Sequence, residues 1–417
     1  MDLFWLDGWH LCILISSLFW IGRAIEAMVK INGVLHLSDL PAFCENPLVS
    51  SGHFESQGTV PKKPPMVSVI IAAKDEETRI REATRSQVSQ TYENLEVIAV
   101  DDRSTDRTAE ILREEQEKSA RLHVIHVKDL PSGWLGKTHA QWVGASHARG
   151  QWLLFVDGDI VYDATVVTRA VGYAEKVNLD HLVVLPKMEI RDWGERAFLA
   201  CLCTLLCTFY RPWKVRDRRS SETIGTGAFQ MIRRSAYDAV GTHQALALTV
   251  IDDIGLAQAV KRKGLKQECV FGGDLIHVRW QEGVWGIVKG VEKNMFSMVH
   301  FNLALLLLAI VMTAVGNLSP FVGLVWARGV WQCLSAAALL SLGVLYYLNQ
   351  EASEAPFWMA VFHPLSVLVL LFAAVRSATL ALWRGGVIWR GTFYPLSVLR
   401  AWSVPAKVKS QDKSRGG

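Results

Sequence analysis

Three pairs of carboxylates stand out among the residues able to do chemistry. Asp157 and Asp159 flank Gly158 in QWLLFVDGDI. Two carboxylates at alternate positions around a glycine offer hard oxygen ligands to Mg2+ or Mn2+, a cation that would also hold phosphate oxygens. Asp101 and Asp102 close the apolar run LEVIAVDD. Asp252 and Asp253 open TVIDDIGLAQAVKRKG. There a carboxylate either favours the positive end of a helix or acts as a general base toward an acceptor hydroxyl. Asp also favours turns, so one pair alone would read as a solvated turn. Two pairs, each directly after a buried-type run, give the chemical reading equal standing.

A second grouping mixes aromatic and basic residues. HVRWQEGVWGIVKGVEKNMF sets Trp280 and Trp285 among Arg279, Lys289 and Lys293, just ahead of a long apolar segment. Trp with Lys and Arg is the composition of a helix at a bilayer interface. Such a helix is either a plain anchor or the face where a substrate leaves the membrane.

The acids need elements to position them. MVSVIIAAK, LEVIAVDD, LHVIHV, QWLLFVDGD and HLVVLPKMEI read as strands, and EETRIREATRSQVSQ, STDRTAEILREEQEK and THAQWVGASHARG as helices. Apolar runs separated by helical patterns predict an α/β domain with a mainly parallel sheet. Ligands of open α/β sheets bind beyond the carboxyl ends of the strands, where two of the acid pairs fall.

This domain spans residues 66–294, with an interfacial helix near 276–294, between two apolar ends. Residues 1–30 read as a retained membrane anchor, because the apolar run follows an acidic and aromatic start rather than a basic one. Residues 31–65 form a linker ending in PKKPP. Residues 295–382 hold three segments, 295–316, 321–348 and 356–382, each long enough to cross about 30 Å of hydrocarbon. Residues 383–417 are a basic tail of cytoplasmic type. Three crossings after a cytoplasmic domain would put that tail outside, against its charge. The expectation is therefore that one segment is interfacial or re-entrant. The apolar run at 198–210 is short for a span, and crossing there would separate Asp157 and Asp159 from Asp253.

Composition excludes several classes. With 50% hydrophobic residues, 20% charged and 16 Trp in 417 residues, the chain is too apolar to be disordered and too long to depend on disulfides. A net charge of +4 over that length does not point to nucleic acid. Seven cysteines, an odd number without a CxxC pair, predict neither a disulfide framework nor a zinc site. A cytoplasmic (inner) membrane location, with the catalytic domain facing the cytoplasm, fits these features.

The order VSVIIAAKDEE, IAVDDRSTDRT, LLFVDGD, IGTGAFQMIRR and IDDIGLAQAVKRKG resembles the family 2 glycosyltransferases, which have the GT-A fold. LPSGWLGKTHA, the Arg279–Trp280 pair and the apolar C-terminal part resemble the membrane-bound members that glycosylate lipids, such as ceramide glucosyltransferases and hopanoid- or carotenoid-associated transferases. VIWRGTFY is similar to a tail motif of bacterial members.

The resemblance implies a nucleotide-sugar donor, a UDP-sugar foremost, a lipid acceptor and inversion at the anomeric carbon. It implies that Asp102 meets the base, that Asp75 and Glu76 border the nucleoside, and that Asp157 and Asp159 hold the metal on the diphosphate. Asp253 would be the base, with Asp252 in place of the more usual Glu. A Q/RxxRW motif is present only as Arg279–Trp280. Arg279 or Lys137 would then neutralise the leaving group. Gly225 and Gly227 would either allow close backbone approach near the acceptor or simply form a turn. The rival readings are a polyprenyl-phosphate or polysaccharide-type transferase and, in another class, a non-catalytic membrane scaffold.

Overall fold

The computed structural model describes residues 7–40 and 64–403. Residues 41–63 of the expected linker, and the tail beyond 403 with Lys407, Lys409, Lys413 and Arg415, lie outside the described residues. A first helix, α1 (Gly8–Lys30), starts on Asp7, whose carboxylate accepts from the His10 N–H at 3.0 Å.

The α/β domain follows as β1 (Val67–Ala73), α2 (Ile80–Val88), β2 (Leu95–Asp102), α3 (Thr108–Gln116), β3 (Leu122–Val127), α4 (Gly136–His147) and β4 (Trp152–Asp157). Then come β5 (Val161–Tyr162), α5 (Val166–Lys176), β6 (His181–Leu185), β7 (Lys187–Met188), α6 (Trp193–Tyr210), β8 (Gln230–Arg233) and α7 (Arg234–Ala239). It ends with α8 (Asp252–Arg262), β9 (Gln267–Phe271), β10 (Ile276–Val278) and α9 (Gly283–Ser297).

Seven strands form one sheet in the order β3-β2-β1-β4-β8-β6-β9. All neighbours run parallel except β8, which is antiparallel to both β4 and β6. The central strands are buried on both faces, which is why they read as continuous apolar runs rather than alternating ones. Register fixes the site. Ala73 pairs with Asp101 and Ala72 with Asp157, so the carboxyl ends of β1, β2 and β4 lie side by side.

The C-terminal part contains α10 (Leu303–Trp326), α11 (Val330–Leu348), α12 (Gln350–Ser353) and α13 (His363–Arg384). A hairpin of β11 (Gly386–Trp389) and β12 (Thr392–Pro395) follows, and then α14 (Leu396–Ser403). Among the described residues, four helical segments are long and apolar enough to cross a membrane: Gly8–Gly33, Leu303–Trp326, Val330–Leu348 and Phe357–Arg384.

The first two C-terminal segments differ from expectation. The chain breaks at Arg328 and Gly329, where Gly329 takes a φ of 59°, so α10 extends to Trp326 and α11 starts at Val330. The apolar run at 198–210 lies within α6, an 18-residue helix packed against α9, α11 and α13. Asp157, Asp159 and Asp253 line one cavity.

Candidate active site

Asp157 and Asp253 meet because two glycines leave room for them. A Cβ on Gly227 would stand 2.1 Å from the Asp157 carboxylate, and one on Gly225 would stand 2.1 Å from the Asp253 carbonyl. The Gly227 carbonyl also accepts from the Asp157 N–H at 2.8 Å. The IGTGAF segment makes a close approach to Asp157 and Asp253 and also turns at Gly227–Ala228. The Gln230 side chain donates to the Asp253 carbonyl at 2.9 Å and holds the start of α8 against β8.

Lys137, at the start of α4, ties the two acid groups together. Its Nζ lies 2.8 Å from Asp157 and 3.5 Å from Asp252. Desolvation opposes its charge, but Asp157, Asp252 and Asp253 outweigh that and hold it protonated. Desolvation and the neighbouring Asp252 push the Asp253 carboxyl above its ordinary range, with Lys137 acting against them.

Asp159 is raised to about 7 by desolvation, with Asp157 and Glu76 crowding it. Crowded carboxylates of this kind suit a divalent cation, which would relieve their repulsion. Among the described residues no three His, Cys, Asp or Glu side chains form a closed cage. The donor set fits a metal that takes part of its shell from phosphate oxygens.

A cavity of about 690 Å³ joins these groups. Lys137, Asp157, Asp159, Asp252, Asp253 and Gly227 line it, and so do Leu199, Leu202, Cys203 and Leu206 of α6. Trp280 and Lys293 also line it. A smaller cavity of about 100 Å³ adjoins it, bounded by Glu76, Asp102, Gly136 and Tyr394.

Residues 68–241 match the family described as "Glycosyl transferase family 2". The chain carries a family 2 glycosyltransferase domain. The 4,4'-diaponeurosporenoate glycosyltransferase of Staphylococcus aureus (strain USA300) is 25% identical over 341 residues, 79% of this chain and 88% of that protein. The protein of the same name from Staphylococcus haemolyticus (strain JCSC1435) is 25% identical over 262 residues, 62% of this chain and 68% of that protein. A mannosyltransferase from Pyrobaculum calidifontis, solved with GDP-Man and Mn2+, covers 90% of this chain and 99% of its own at 16% identity and a TM-score of 0.51. That likeness identifies the GT-A fold of the glycosyltransferase.

Not every expected residue reaches the cavities. Asp75 is exposed and accepts from the Thr105 N–H at 2.7 Å. Asp102 does reach the smaller cavity, but it is buried and forked by the Arg103 guanidinium at 2.8 and 3.0 Å. Trp285 stacks beside Phe372 and under Arg376, half-exposed on the apolar face. Arg279 lines neither cavity. It is 8% exposed and grips Glu195 with two nitrogens at 2.7 and 2.8 Å.

Three residues come in from beyond the α/β core. Lys293 of α9 lies 3.5 Å over the Trp389 ring, and desolvation together with Lys137 lowers it to about 8. Arg390, in the turn of the β11–β12 hairpin, donates to the Lys74 carbonyl and to Glu76. The only sequence signals for these were the tail motif VIWRGTFY and the basic face of α9.

Proposed function

We propose that the protein is a membrane-bound, metal-dependent, inverting transferase that moves a sugar from a nucleotide sugar, a UDP-sugar foremost, to a lipid acceptor. The observation that carries this is the shared cavity. Asp157, Asp159 and Lys137 give it phosphate-type chemistry, residues of α6 give it an apolar lining, and Asp253 lines the same space.

In this reading the nucleoside lies by Asp102 and Glu76, and the diphosphate by Asp157 and Asp159. A divalent cation on those two aspartates would neutralise charge on the departing nucleoside diphosphate. Asp253 takes the proton from an acceptor hydroxyl. The acceptor oxygen bonds to the anomeric carbon as the bond to the diphosphate oxygen breaks on the opposite face. The raised affinity of Asp253 for a proton suits a base that works near neutrality. The Staphylococcus relatives, by their names, glycosylate a carotenoid acid. They support a lipid-like acceptor here.

The helices complete the proposal. α1, α10 and α11 cross the bilayer, while α13 lies along the membrane face of the catalytic domain. Around α13, Glu354 reaches Lys187 of β7 at 2.8 Å, Ser366 donates to the Ala197 carbonyl of α6 at 3.3 Å, and Arg384 reaches Glu292 of α9 at 3.1 Å. With α13 in the interface, the basic tail stays on the side of the active site, as its charge requires. Cysteines placed at Arg328 and at Phe393 should react with an impermeant thiol reagent from opposite sides of sealed vesicles. Labelling from the same side would remove this topology.

The function is tested with membranes containing the protein, Mn2+, labelled UDP- and GDP-sugars and a total lipid extract. Label should enter the organic phase from one donor. Asp253→Asn should lower that rate by about 10²- to 10⁴-fold, the usual worth of a general base, while nucleotide binding persists. Label confined to water-soluble or polymeric product would move the assignment to a polysaccharide-type transferase.

A further inference from the structure

A departing diphosphate needs a cation besides the metal, and the described arginines and lysines around the cavities are unequally free to supply it. Arg279 is spent: Glu195 takes both terminal nitrogens, and the Glu189 carbonyl takes a further bond at 2.9 Å. Arg376 and Arg384 are both turned to Glu292, at 3.0 and 3.1 Å. Lys137 already balances Asp157 and Asp252. Lys293 faces the Trp389 ring.

Arg390 is different. Its side chain is 44% exposed and pairs with Glu76 alone among carboxylates, and it lines both cavities, as Lys137 and Lys293 also do. Its backbone is unusual as well. Arg390 and Gly391 make a two-residue turn with φ of 45° and 75°, the left-handed geometry that favours Asn-Gly or Gly-Gly. Asn or Gly would be less strained there than arginine, so the side chain is the reason for the residue. The hairpin that carries it is also held to the domain from the site side. The Gly136 N–H donates to the Tyr394 hydroxyl at 3.1 Å.

We infer that the β11–β12 hairpin roofs the donor site and that Arg390 is the cation which binds the donor diphosphate, exchanging Glu76 for phosphate oxygens. This rests on the nucleotide-sugar reading above. It gives the VIWRGTFY motif a role and leaves Arg279 as a structural residue.

The test measures equilibrium binding of UDP, UMP and uridine, and of the guanine series, to the full-length protein with Mn2+. Arg390→Gln should weaken the nucleoside diphosphate on the order of ten- to a hundred-fold, as expected for a lost charge-assisted contact. The nucleoside should be unchanged and the monophosphate far less affected. Arg390→Lys should restore part of the loss, which separates charge from fold. The paired replacement Glu195→Leu with Arg279→Met should keep the diphosphate affinity of the parent.

Equal weakening of all three ligands, or none, would overturn the inference, because the hairpin would then only shape the pocket or stand apart from it. Loss of diphosphate binding in a folded Glu195→Leu/Arg279→Met protein would return the role to Arg279. A parent protein that binds no nucleoside diphosphate of either base would instead remove the donor reading itself.

Discussion

Two Arg–Glu pairs differ in where they stand: Arg390 and Glu76 line the smaller cavity, whereas Arg279 and Glu195 line neither. Arg279–Glu195 joins the approach to α9 with the first turn of α6, its side chains 6% and 1% exposed. Glu195 also accepts from the backbone N–H groups of Gly283 and Arg191. Desolvation would raise its carboxyl, but Arg279 and these N–H groups outweigh that and hold it low. Arg390–Glu76 has side chains 44% and 16% exposed and sits on a strained turn. Desolvation raises the Glu76 carboxyl, with Arg390 opposing it. The chemistry of the two pairs is the same, and the surroundings separate them. A buried pair with both terminal Arg279 nitrogens bonded to Glu195 is a strut between α6 and the approach to α9. A half-open pair with one weakly held carboxylate can trade its partner for a ligand.

The largest expected effect breaks the strut. Glu195→Ala leaves the Arg279 guanidinium buried with most of its donors unanswered, which costs about 3–5 kcal/mol in comparable buried pairs. Thermal unfolding in detergent should show the loss. Replacing both residues by apolar ones of similar size should recover most of it, because no charge is then stranded. If Glu195→Ala unfolds no earlier than the parent yet loses donor binding, the two pairs are not strut and clasp, and the comparison fails.

The strands, the acid pairs and the helix of Asp252 and Asp253 were legible because each is a local pattern. β1, β2 and β4 are buried on both faces and so read as uninterrupted apolar runs. Asp157 and Asp102 fall on the last residues of such runs, and adjacency of the strands then brings their ends together. The partnership of Arg279 with Glu195 spans 84 residues, and nothing in the spacing of an Arg–Trp pair announces it. Arg390 and Glu76 are 314 residues apart. The hairpin's strands are four residues each, too short for a periodic signal, and lie among basic residues that read as tail. The break between α10 and α11 was misplaced for a related reason. Hydropathy continues across Arg328, and the left-handed Gly329 is what ends the run. Gly225 and Gly227 could be seen as a turn or a close approach from sequence. The positions of Asp157 and Asp253 reveal the close approach, and the segment turns at Gly227–Ala228 as well.

The smallest expected effect concerns the turn itself. Arg390→Asn creates an Asn-Gly turn, the preferred sequence for two positive φ angles. The change removes the pair with Glu76, worth about 0–1 kcal/mol for a partly exposed ion pair, and relieves left-handed strain of similar size. Hydrogen exchange of the β11 and β12 amides should therefore differ from the parent by no more than the equivalent of about 1 kcal/mol, in either direction. A hairpin that opens much more readily in Arg390→Asn would mean that Arg390 pins the roof through Glu76 and the Lys74 carbonyl. It would then be a second strut. A hairpin that holds, on a protein that has lost affinity for nucleoside diphosphate, separates the two pairs as the burial of their carboxylates implies. Arginine then stands at that turn for what it binds and at some cost to the turn, whereas at position 279 it stands for what it holds together.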